Sequence, residues 1–352
     1  MNEFRTCYGY DDIFLVPRYS DIMSRNDCDT KQKFDKLTYK LPIIMSPMDT
    51  VCCEEFIRFA LDTNTLAPSI HRYYKSVEDQ LELVNKFTDF EKKKIWVSVG
   101  SSLKPENRKW IDLLYKNGVR KFLIDMAHGD SCHMLSTIKY IKETGDTNVI
   151  GGAVCTKSGF ERLQEHMGLG DAIRVGIGSG SICATSGNTA FGVPQVTAIQ
   201  DCASVKRSEI TLIADGGIKN AGDICKALAV GADFVMCGKI LASTSLACGQ
   251  RYDKNKNVTE DFKETRFREY RGMASKEARA AIMQYASVEG VSGLVEYLGE
   301  SVNVLNDVKL NIQASLSYAG VKNWQDFRRK VKIVRVAQGG YFEKMTHIIN
   351  KE

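Results

Sequence analysis

The chain has 352 residues, of which 43% are hydrophobic and 26% charged, a balance typical of a globular protein with a large core. Its net charge of +5 and pI of about 8.5 do not single out nucleic acid as a partner and suit a small anionic substrate equally well. No apolar run approaches the ~20 residues of a membrane span, and the polar N-terminal stretch does not resemble a secretory leader. The 11 cysteines are scattered without a CxxC pair, which predicts reduced thiols in a cytoplasmic protein.

Eight short apolar runs follow an N-terminal arm, residues 1–40, that we expect to be irregular. The runs are Leu41–Ser46, Leu66–Ile70, Ile95–Val99, Lys121–Met126, Val149–Val154, Ala172–Ile177, Thr211–Gly217 and Phe234–Gly238. Continuous apolar runs fit strands that are buried on both faces. Their alternation with helix-length segments predicts a parallel sheet, and eight such units close into a (β/α)₈ TIM barrel. An open doubly wound sheet is the alternative, but no GxGxxG follows the first run.

The segments between these runs predict seven helices. They are Cys53–Leu61, Val77–Phe87, Glu106–Tyr115, Met134–Ile141, Gly159–Glu165, Pro194–Ala203 and Ala221–Val230. After the eighth run, residues 250–300 show no strong period, which favours a long mobile loop or flap over the site. Residues 301–352 contain a predicted helix, Leu305–Tyr318, and a basic tail, Arg328–Arg335, that we interpret as a solvated face. The whole chain, 1–352, is thus predicted to be one barrel domain.

The glycine-rich stretch from Val175 to Thr185 is the most informative part of the sequence. Glycines there let backbone amides approach an anion closely, and Ser181 adds a hydroxyl, so we predict a phosphate cradle. A structural turn is the plain alternative, and a dinucleotide finger is disfavoured because Ser181 stands at its third glycine position. Cys183, next to this site, is a candidate nucleophile rather than a core thiol. Thr185 alone fits a helix cap as well.

Other polar and glycine residues collect at the ends of the apolar runs, which form the active face of a barrel. They are Met48-Asp49, His71-Arg72, Ser101-Ser102, Asp125 with His128, Asp215–Gly217 and Gly238-Lys239. The last two clusters follow the seventh and eighth runs, where barrels commonly bind phosphate. The spacing of Asp125, His128, Asp130 and His133 fits no established metal-ligand pattern, so solvated loop residues are the favoured interpretation.

Several motifs, in the same order along the chain, resemble the IMP dehydrogenase and GMP reductase family. They are Ser46–Thr50, Gly178–Thr185 with Gly192–Gln195, Ala214–Ile218, Gly231–Met236, Tyr270–Met273 and Ser317–Gly320. The resemblance covers about residues 8–320 and implies a (β/α)₈ barrel, usually tetrameric, that acts on C2 of a purine nucleotide. The second and third runs follow each other without room for the regulatory CBS modules of typical IMP dehydrogenases. No Arg-Tyr pair stands between Met273 and Glu289, so the chain is most similar to the GMP reductase branch, although the Cys183 loop and Tyr270–Met273 lean toward the dehydrogenases.

The resemblance implies NADPH-dependent reductive deamination of GMP to IMP and ammonia, a purine salvage reaction, through a thioimidate on Cys183. A minimal IMP dehydrogenase converting IMP and NAD to XMP, or a non-catalytic purine-nucleotide binder, remains the alternative. Thr185 and Glu289 match the family's proton relay. Residues implied to bind the substrate are Ser181, Asp215, Gly216, Gly217, Gly238, Lys239, Gly272, Met273, Gly290, Met48 and Asp49.

The resemblance also implies a cofactor side, with NADH as the alternative to NADPH. The residues concerned are Asp125, Met126, Ala127, Arg72, Ser315, Tyr318 and Gly320, with Ser24 and Arg25 reaching a neighbouring subunit's cofactor. Backbone carbonyls of Gly178, Gly180 and Cys183 match a monovalent-cation site, K⁺ in the family. A cytoplasmic homotetramer that binds neither membrane nor nucleic acid is expected.

Five departures from the family pattern involve six positions. Ala153 replaces an asparagine near the reacting centre, and Ser186 replaces an arginine after the Cys-x-Thr motif, which bears on the cation site. Ala286 or a neighbour replaces an arginine, which weakens the preference for NADPH. Lys239 replaces a glycine and adds a cation near the phosphate, and Ser245-Leu246 replaces an acidic pair.

Overall fold

Strands and helices alternate along most of the chain in the computed structural model, which describes residues 4–102, 104–273, 275, 290–337 and 340. The strands are β1 (Ile13–Val16), β2 (Gln32–Phe34), β3 (Leu37–Tyr39), β4 (Ile43–Met45), β5 (Ser69–Ile70), β6 (Trp96–Val99), β7 (Lys121–Ile124), β8 (Asn148–Val154), β9 (Ala172–Val175), β10 (Thr211–Asp215), β11 (Phe234–Cys237), β12 (Arg251–Tyr252), β13 (Phe267–Arg271), β14 (Ser292–Glu296) and β15 (Lys332–Arg335). The helices are α1 (Glu54–Thr63), α2 (Val77–Val84), α3 (Asp89–Lys92), α4 (Pro105–Lys116), α5 (Cys132–Thr144), α6 (Lys157–Gln164), α7 (Thr185–Thr189), α8 (Gln195–Ala203), α9 (Ala221–Ala229), α10 (Lys239–Ala242), α11 (Ser301–Tyr318) and α12 (Trp324–Lys330).

Strands β4 to β11 form an eight-stranded parallel sheet in which each strand overlaps one of the eight predicted runs. The sheet closes between β4 and the residues just before β5. There the Met45 amide donates to the Ala67 carbonyl, and the Ala67 amide to the Ile43 carbonyl, both at 2.9 Å. The predicted (β/α)₈ barrel is therefore confirmed.

The barrel interior is packed by side chains of unequal size. Trp96, Leu123 and Phe234 are fully buried there beside the small Ala67 and Ala172. Large and small residues from different strands share this space, which is how TIM barrels build their interiors. A second, larger apolar cluster fills the layer between the strands and the surrounding helices. Both faces of each strand are thus dry, and this explains the continuous apolar runs.

The N-terminal arm is more regular than expected. Strands β2 and β3 form an antiparallel hairpin that covers the bottom of the barrel. Phe34 stacks on Trp96 at 5.1 Å between ring centroids and packs against Phe234 at 5.3 Å. Asp35, between the two strands, pairs with the buried Lys121 at 3.2 Å. The expectation of an irregular arm is corrected here, because these polar-looking residues carry two aromatic side chains into the barrel.

The C-terminal segment also forms regular structure. Strand β15 pairs antiparallel with β1, so part of the predicted solvated tail is a strand. Helix α12 precedes it and buries Trp324 and Phe327. Arg328 pairs with Asp233 at 2.9 Å. The structured tail therefore ties the last elements to the arm and to the barrel.

The segment predicted as a loop, residues 250–300, contains a three-stranded antiparallel sheet, β12-β13-β14, in its described part. Burial alternates along β13: Arg268 and Tyr270 point inward, and Phe267, Glu269 and Arg271 are half-buried. Three of the five residues of β13 are charged, so the strand gave no apolar period in the sequence. We call β12, β13 and β14 the flap sheet.

Helix bounds agree with the predictions to within about four residues. The predicted helix from Val77 to Phe87 is α2, which ends at Val84, and the short helix α3 follows beyond the predicted range. Helix α11 begins four residues before the predicted Leu305. Among the described residues, no helix is long and apolar enough to cross a membrane.

Candidate active site

A cavity of about 280 Å³ opens at the carboxyl ends of the barrel strands. It brings together most of the residues that the sequence singled out. They are Met48, Arg72, Asp125, Met126, Ala127, Gly178, Gly180, Ser181, Cys183, Thr185, Asp215, Gly216, Gly217, Gly238, Lys239, Gly272, Met273 and Gly290. Tyr270 and Arg174, which the sequence analysis did not assign to the site, line it as well.

The glycine-rich loop runs from the end of β9 into α7. At Gly176, φ is +143° and a side chain would lie 2.1 Å from the Asp215 carbonyl oxygen, so only glycine fits. The loop then turns so that the Cys183 amide donates to the Gly180 carbonyl at 3.0 Å. This turn places Cys183 at the cavity wall and Thr185 at the first position of α7.

Cys183 and Thr185 form a hydrogen-bonded pair at the cavity. The Cys183 thiol donates to the Thr185 hydroxyl at 3.1 Å, and Thr185 is 8% exposed. A short bridge joins Cys183 to Gly290, and the Val291 amide donates to the Ile182 carbonyl at 3.0 Å. The nucleophile loop is therefore attached to the chain directly after position 289. Glu289 itself, a predicted member of the proton relay, lies outside the described residues.

Two glycine turns form the wall opposite Cys183. Gly216 has φ of +102°, and a side chain there would lie 2.4 Å from the Ser179 hydroxyl. At Gly238 a side chain would lie 2.4 Å from the Tyr270 hydroxyl. The Tyr270 hydroxyl contacts the Ser181 side chain, and burial raises the pKa of Tyr270 well above its usual range, so the hydroxyl is protonated and can donate. These residues line the cavity with hydroxyls and backbone groups, the kind of groups that a phosphate site uses.

An ion cluster missed by the sequence analysis lies at the bottom of the cavity. Arg174 extends from β9 into the barrel interior and pairs with Asp215 at 3.2 Å and with Asp125 at 3.3 Å. Burial raises the pKa of the Asp215 carboxyl, the nearby Arg174 guanidinium lowers it, and the Asp125 carboxylate raises it further. A single charged residue inside an apolar run was the only sequence signal for this cluster.

A second cavity of about 410 Å³ adjoins the first, and Arg72, Asp125, Met126 and Ala127 line both. Arg72 pairs with Asp125 at 3.2 Å. In the described part of the chain, the Ser101 hydroxyl is buried without a hydrogen-bond partner. These groups fit a phosphate-bearing dinucleotide cofactor. The guanidinium can pair with phosphate, the carboxylate can accept from ribose hydroxyls, and the Ser101 hydroxyl still lacks a hydrogen-bond partner.

Some predicted residues lie elsewhere. Asp49 does not line the cavity; its carboxylate pairs with Arg271, with Nε to Oδ2 at 2.9 Å. Five predicted cofactor residues, Ser24, Arg25, Ser315, Tyr318 and Gly320, lie at another corner of the protein, where Arg25 stacks over the Tyr318 ring at 5.3 Å. They do not meet the cavity within one chain, which is consistent with the expectation that Ser24 and Arg25 serve a neighbouring subunit.

The two departures at Ala153 and Ser186 both lie near this site. Ala153 lines the main cavity. The Ser186 hydroxyl lies 1.6 Å from where a Gly178 side chain would begin, so it packs on the loop that carries the predicted cation carbonyls. Of the residues considered for a metal, Asp130 pairs with Arg162 at 2.7 Å. Over the described ranges, no three His, Cys, Asp or Glu side chains are grouped to hold a metal.

Fold and site together define an α/β barrel with a cavity at the carboxyl ends of its strands, the position at which barrel enzymes carry their active sites. Residues 7–347 match the family model described as IMP dehydrogenase / GMP reductase domain, and the chain belongs to this family. The family consists of oxidoreductases that act on purine nucleotides with a nicotinamide cofactor.

Bacterial GMP reductases are among the similar proteins. Those of Lactobacillus delbrueckii subsp. bulgaricus and Lactobacillus johnsonii are each 34% identical to the chain, over 92% and 91% of its length and 93% and 92% of theirs. That of Staphylococcus carnosus is 31% identical, over 92% of the chain and 94% of its own length.

Proposed function

We propose that the protein is a GMP reductase, which converts GMP to IMP and ammonia with NADPH and so serves purine nucleotide salvage. The observation that carries the proposal is the hydrogen-bonded pair of Cys183 and Thr185, 3.1 Å apart, at the wall of a mouth built to hold an anion. The similarity to bacterial GMP reductases over nearly the whole chain supports it.

The nucleotide is held from three sides. Ser181, Gly216, Gly217, Gly238 and Lys239 receive the phosphate, where the Lys239 ammonium adds charge attraction. Asp215 accepts from the ribose hydroxyls. Gly272, Met273 and Gly290 border the base, with Met48 on the other side. The base then lies with C2 toward the Cys183 sulfur.

Cys183 supplies covalent catalysis. Its sulfur adds to the electrophilic C2 of the protonated guanine ring, which forms a C–S bond and a tetrahedral centre. The amino group takes a proton and leaves as ammonia, so that a thioimidate remains on Cys183. Thr185 is placed to relay that proton, with Glu289 as its partner in the relay. When C2 has received a hydride, the C–S bond breaks, IMP is released and Cys183 regains its proton.

The reduced cofactor supplies the hydride when it is bound. Asp125, Met126 and Ala127 hold its nicotinamide half where the two cavities meet, and the Arg72 guanidinium faces its anionic part. Lys75 lines the second cavity and brings a second cation to this side. Two cations suit the extra phosphate of NADPH better than NADH, which is the basis for the cofactor preference.

We further propose that the protein is a homotetramer in the cytoplasm. An assembly is needed because five of the predicted cofactor residues meet the cofactor only if a neighbouring subunit contributes them. They are Ser24, Arg25, Ser315, Tyr318 and Gly320. A monovalent cation would be held by the carbonyls of Gly178, Gly180 and Cys183. The Gly180 carbonyl already accepts the Cys183 amide proton, so the cation would share that oxygen and stiffen the nucleophile loop.

A paired assay tests the function. Purified protein with GMP and NADPH should lose absorbance of the reduced cofactor and form IMP, while IMP with NAD⁺ should give no NADH. Cys183→Ala should bind GMP with unchanged affinity and lose turnover by more than 10³-fold, because the covalent step is gone. NADH formation from IMP would identify a minimal IMP dehydrogenase instead, and tight GMP binding without turnover by the wild type would identify a non-catalytic binder.

A further inference from the structure

Arg174 joins the two halves of the active site. One terminal nitrogen, Nη1, reaches Asp215 at 3.2 Å, and the other, Nη2, reaches Asp125 at 3.3 Å. Nη2 also lies within 3.2 to 3.4 Å of the carbonyl oxygens of Gly152, Ile124 and Met126. Asp215 lies on the side of the cavity that receives the nucleotide, whereas Asp125 borders both cavities. The planar guanidinium group of Arg174 contacts one carboxylate with each terminal nitrogen, and it therefore sets the distance between the two carboxylates.

The charges explain why the cluster needs a guanidinium. Arg174 is 4% exposed, and the two carboxylates face each other across it at the bottom of the barrel mouth. Two carboxylates brought together out of water repel each other and favour protonation of one of them. The burial of Asp215 already favours its protonated form, and the guanidinium opposes this shift. Without Arg174, one of the two carboxylates would lose an acceptor lone pair to a proton.

We propose, on the basis of the function proposed above, that Arg174 is a positioning residue that holds Asp215 and Asp125 correctly spaced as hydrogen-bond acceptors. Asp215 then accepts from the nucleotide and Asp125 from the cofactor, so that one side chain prepares both subsites. Arg174 does not transfer protons or touch C2. Its loss weakens the binding of both ligands more than it slows the chemical step.

A buried cation elsewhere in the barrel provides the matched control. Lys121 is 4% exposed and pairs with Asp35 at 3.2 Å under the barrel, but it borders neither cavity. Lys121→Gln therefore removes a buried, paired charge of the same kind at the opposite end. Both substitutions should lower the melting temperature, whereas only those at position 174 should change ligand affinity.

Steady-state kinetics of Arg174→Gln, Arg174→Lys and Lys121→Gln test the proposal. For Arg174→Gln we expect KM to rise at least thirtyfold for GMP and tenfold for NADPH, with kcat reduced less than tenfold. Its KM for GMP should also rise as the pH falls from 8 to 6, while that of the wild type stays flat. Arg174→Lys retains the charge without the planar guanidinium and should keep both KM values within about tenfold of the wild type. Lys121→Gln should leave both within twofold.

Asp125→Asn gives a test that does not depend on Arg174→Gln being folded. If the bridge exists, this change on the cofactor side should also raise KM for GMP at least threefold, because Arg174 loses one of its two carboxylate anchors. An unchanged KM for GMP in Asp125→Asn and in Arg174→Gln, or a loss confined to kcat in any Arg174 variant, would overturn the proposal.

Turnover by the wild type tests the proposed function separately from the bridge. If it does not turn over GMP with NADPH, the function is wrong, and equilibrium titration of the same variants with GMP and with NADPH still tests the bridge through dissociation constants. Failure of the wild type to bind either ligand would refute both.

Discussion

His71 is a buried residue next to Arg72 at the barrel mouth, and its imidazole has no role in the proposed reaction. Its ring stacks on Tyr74 at 4.4 Å between centroids, and Nδ1 accepts the Tyr73 amide proton at 3.2 Å. Burial lowers the pKa of His71 to about 4. A proton on Nδ1 would also face the Tyr73 amide proton, so the folded protein holds this imidazole neutral.

This histidine predicts a pH dependence of stability. In the unfolded chain it binds a proton with a pKa near 6.5, so between pH 6.5 and 4 the unfolded state holds more protons and the free energy of unfolding falls as the pH falls. The wild type should lose about 2 kcal/mol more than His71→Gln between pH 8 and pH 5. Urea denaturation of both proteins at the two pH values measures the difference. Equal losses would show that His71 is protonated in the folded state.

The place of Cys183 at the cavity could be predicted from the sequence, whereas the charged surroundings of this residue could not. Cys183 follows three glycines within a few residues, so its place beside an anion site is a local pattern. Arg174 lies inside an apolar run, where one charged residue does not change the prediction of a strand. Only closure of the barrel brings it to Asp125, 49 positions earlier in the chain, and to Asp215, 41 positions later.

At the scale of elements, an ion pair is one of the links between the flap sheet and the barrel mouth. Arg271, the last residue of β13, pairs with Asp49 in the loop after β4, with Nε to Oδ2 at 2.9 Å. The Asp49 amide contacts the Met273 sulfur at 3.4 Å. Gly272 and Met273, which follow β13 directly, line the cavity. The pair therefore helps to position this part of the cavity wall.

Asp49→Asn should loosen that wall. The proposed substrate makes its contacts with Gly272 and Met273, so KM for GMP should rise about tenfold while kcat changes less than threefold. The control is Glu260→Gln, which breaks the ion pair of Arg251 at the other edge of the same sheet, where Glu260 is 80% exposed. The control should keep the wild-type KM. Equal KM values in all three proteins would show that the ion pair has no part in substrate binding.

The flap sheet was missed by sequence analysis for a physical reason. Its strands have two to five residues, and β13 alternates buried and half-buried residues of which several are charged. Hydrophobic periodicity needs longer or more apolar segments to indicate a strand. The pairing of β13 with β12 and β14 depends on residues up to about 30 positions apart and on the barrel beneath them. The barrel strands could be predicted because both of their faces are buried, which requires continuous apolar runs in the sequence.

At the scale of the whole molecule, the barrel carries its site at one end and is closed by its own N-terminal arm at the other. The number, order and direction of the eight strands follow from local apolar runs and from the handedness of strand–helix–strand units. The closure of the other end by β2 and β3 does not follow from local apolar runs, because Phe34 and Tyr39 lie in a polar stretch. Their burial depends on a hollow between strands that exists only after the barrel has formed.

Phe34→Ala tests whether that hairpin stabilises the barrel independently of the site. Phe34 is 2% exposed and contacts both Trp96 and Phe234, so its truncation leaves a cavity between three strands. The free energy of unfolding should fall by about 3–5 kcal/mol, measured by urea denaturation. Phe90→Ala, at a 69% exposed phenylalanine, should change it by less than 1 kcal/mol. KM for GMP should stay within twofold of the wild type for both variants, because the hairpin and the mouth lie at opposite ends of the strands. A large rise in KM for Phe34→Ala alone would show that the interior transmits packing changes to the active site, and the two ends of the barrel would then have to be treated as one unit.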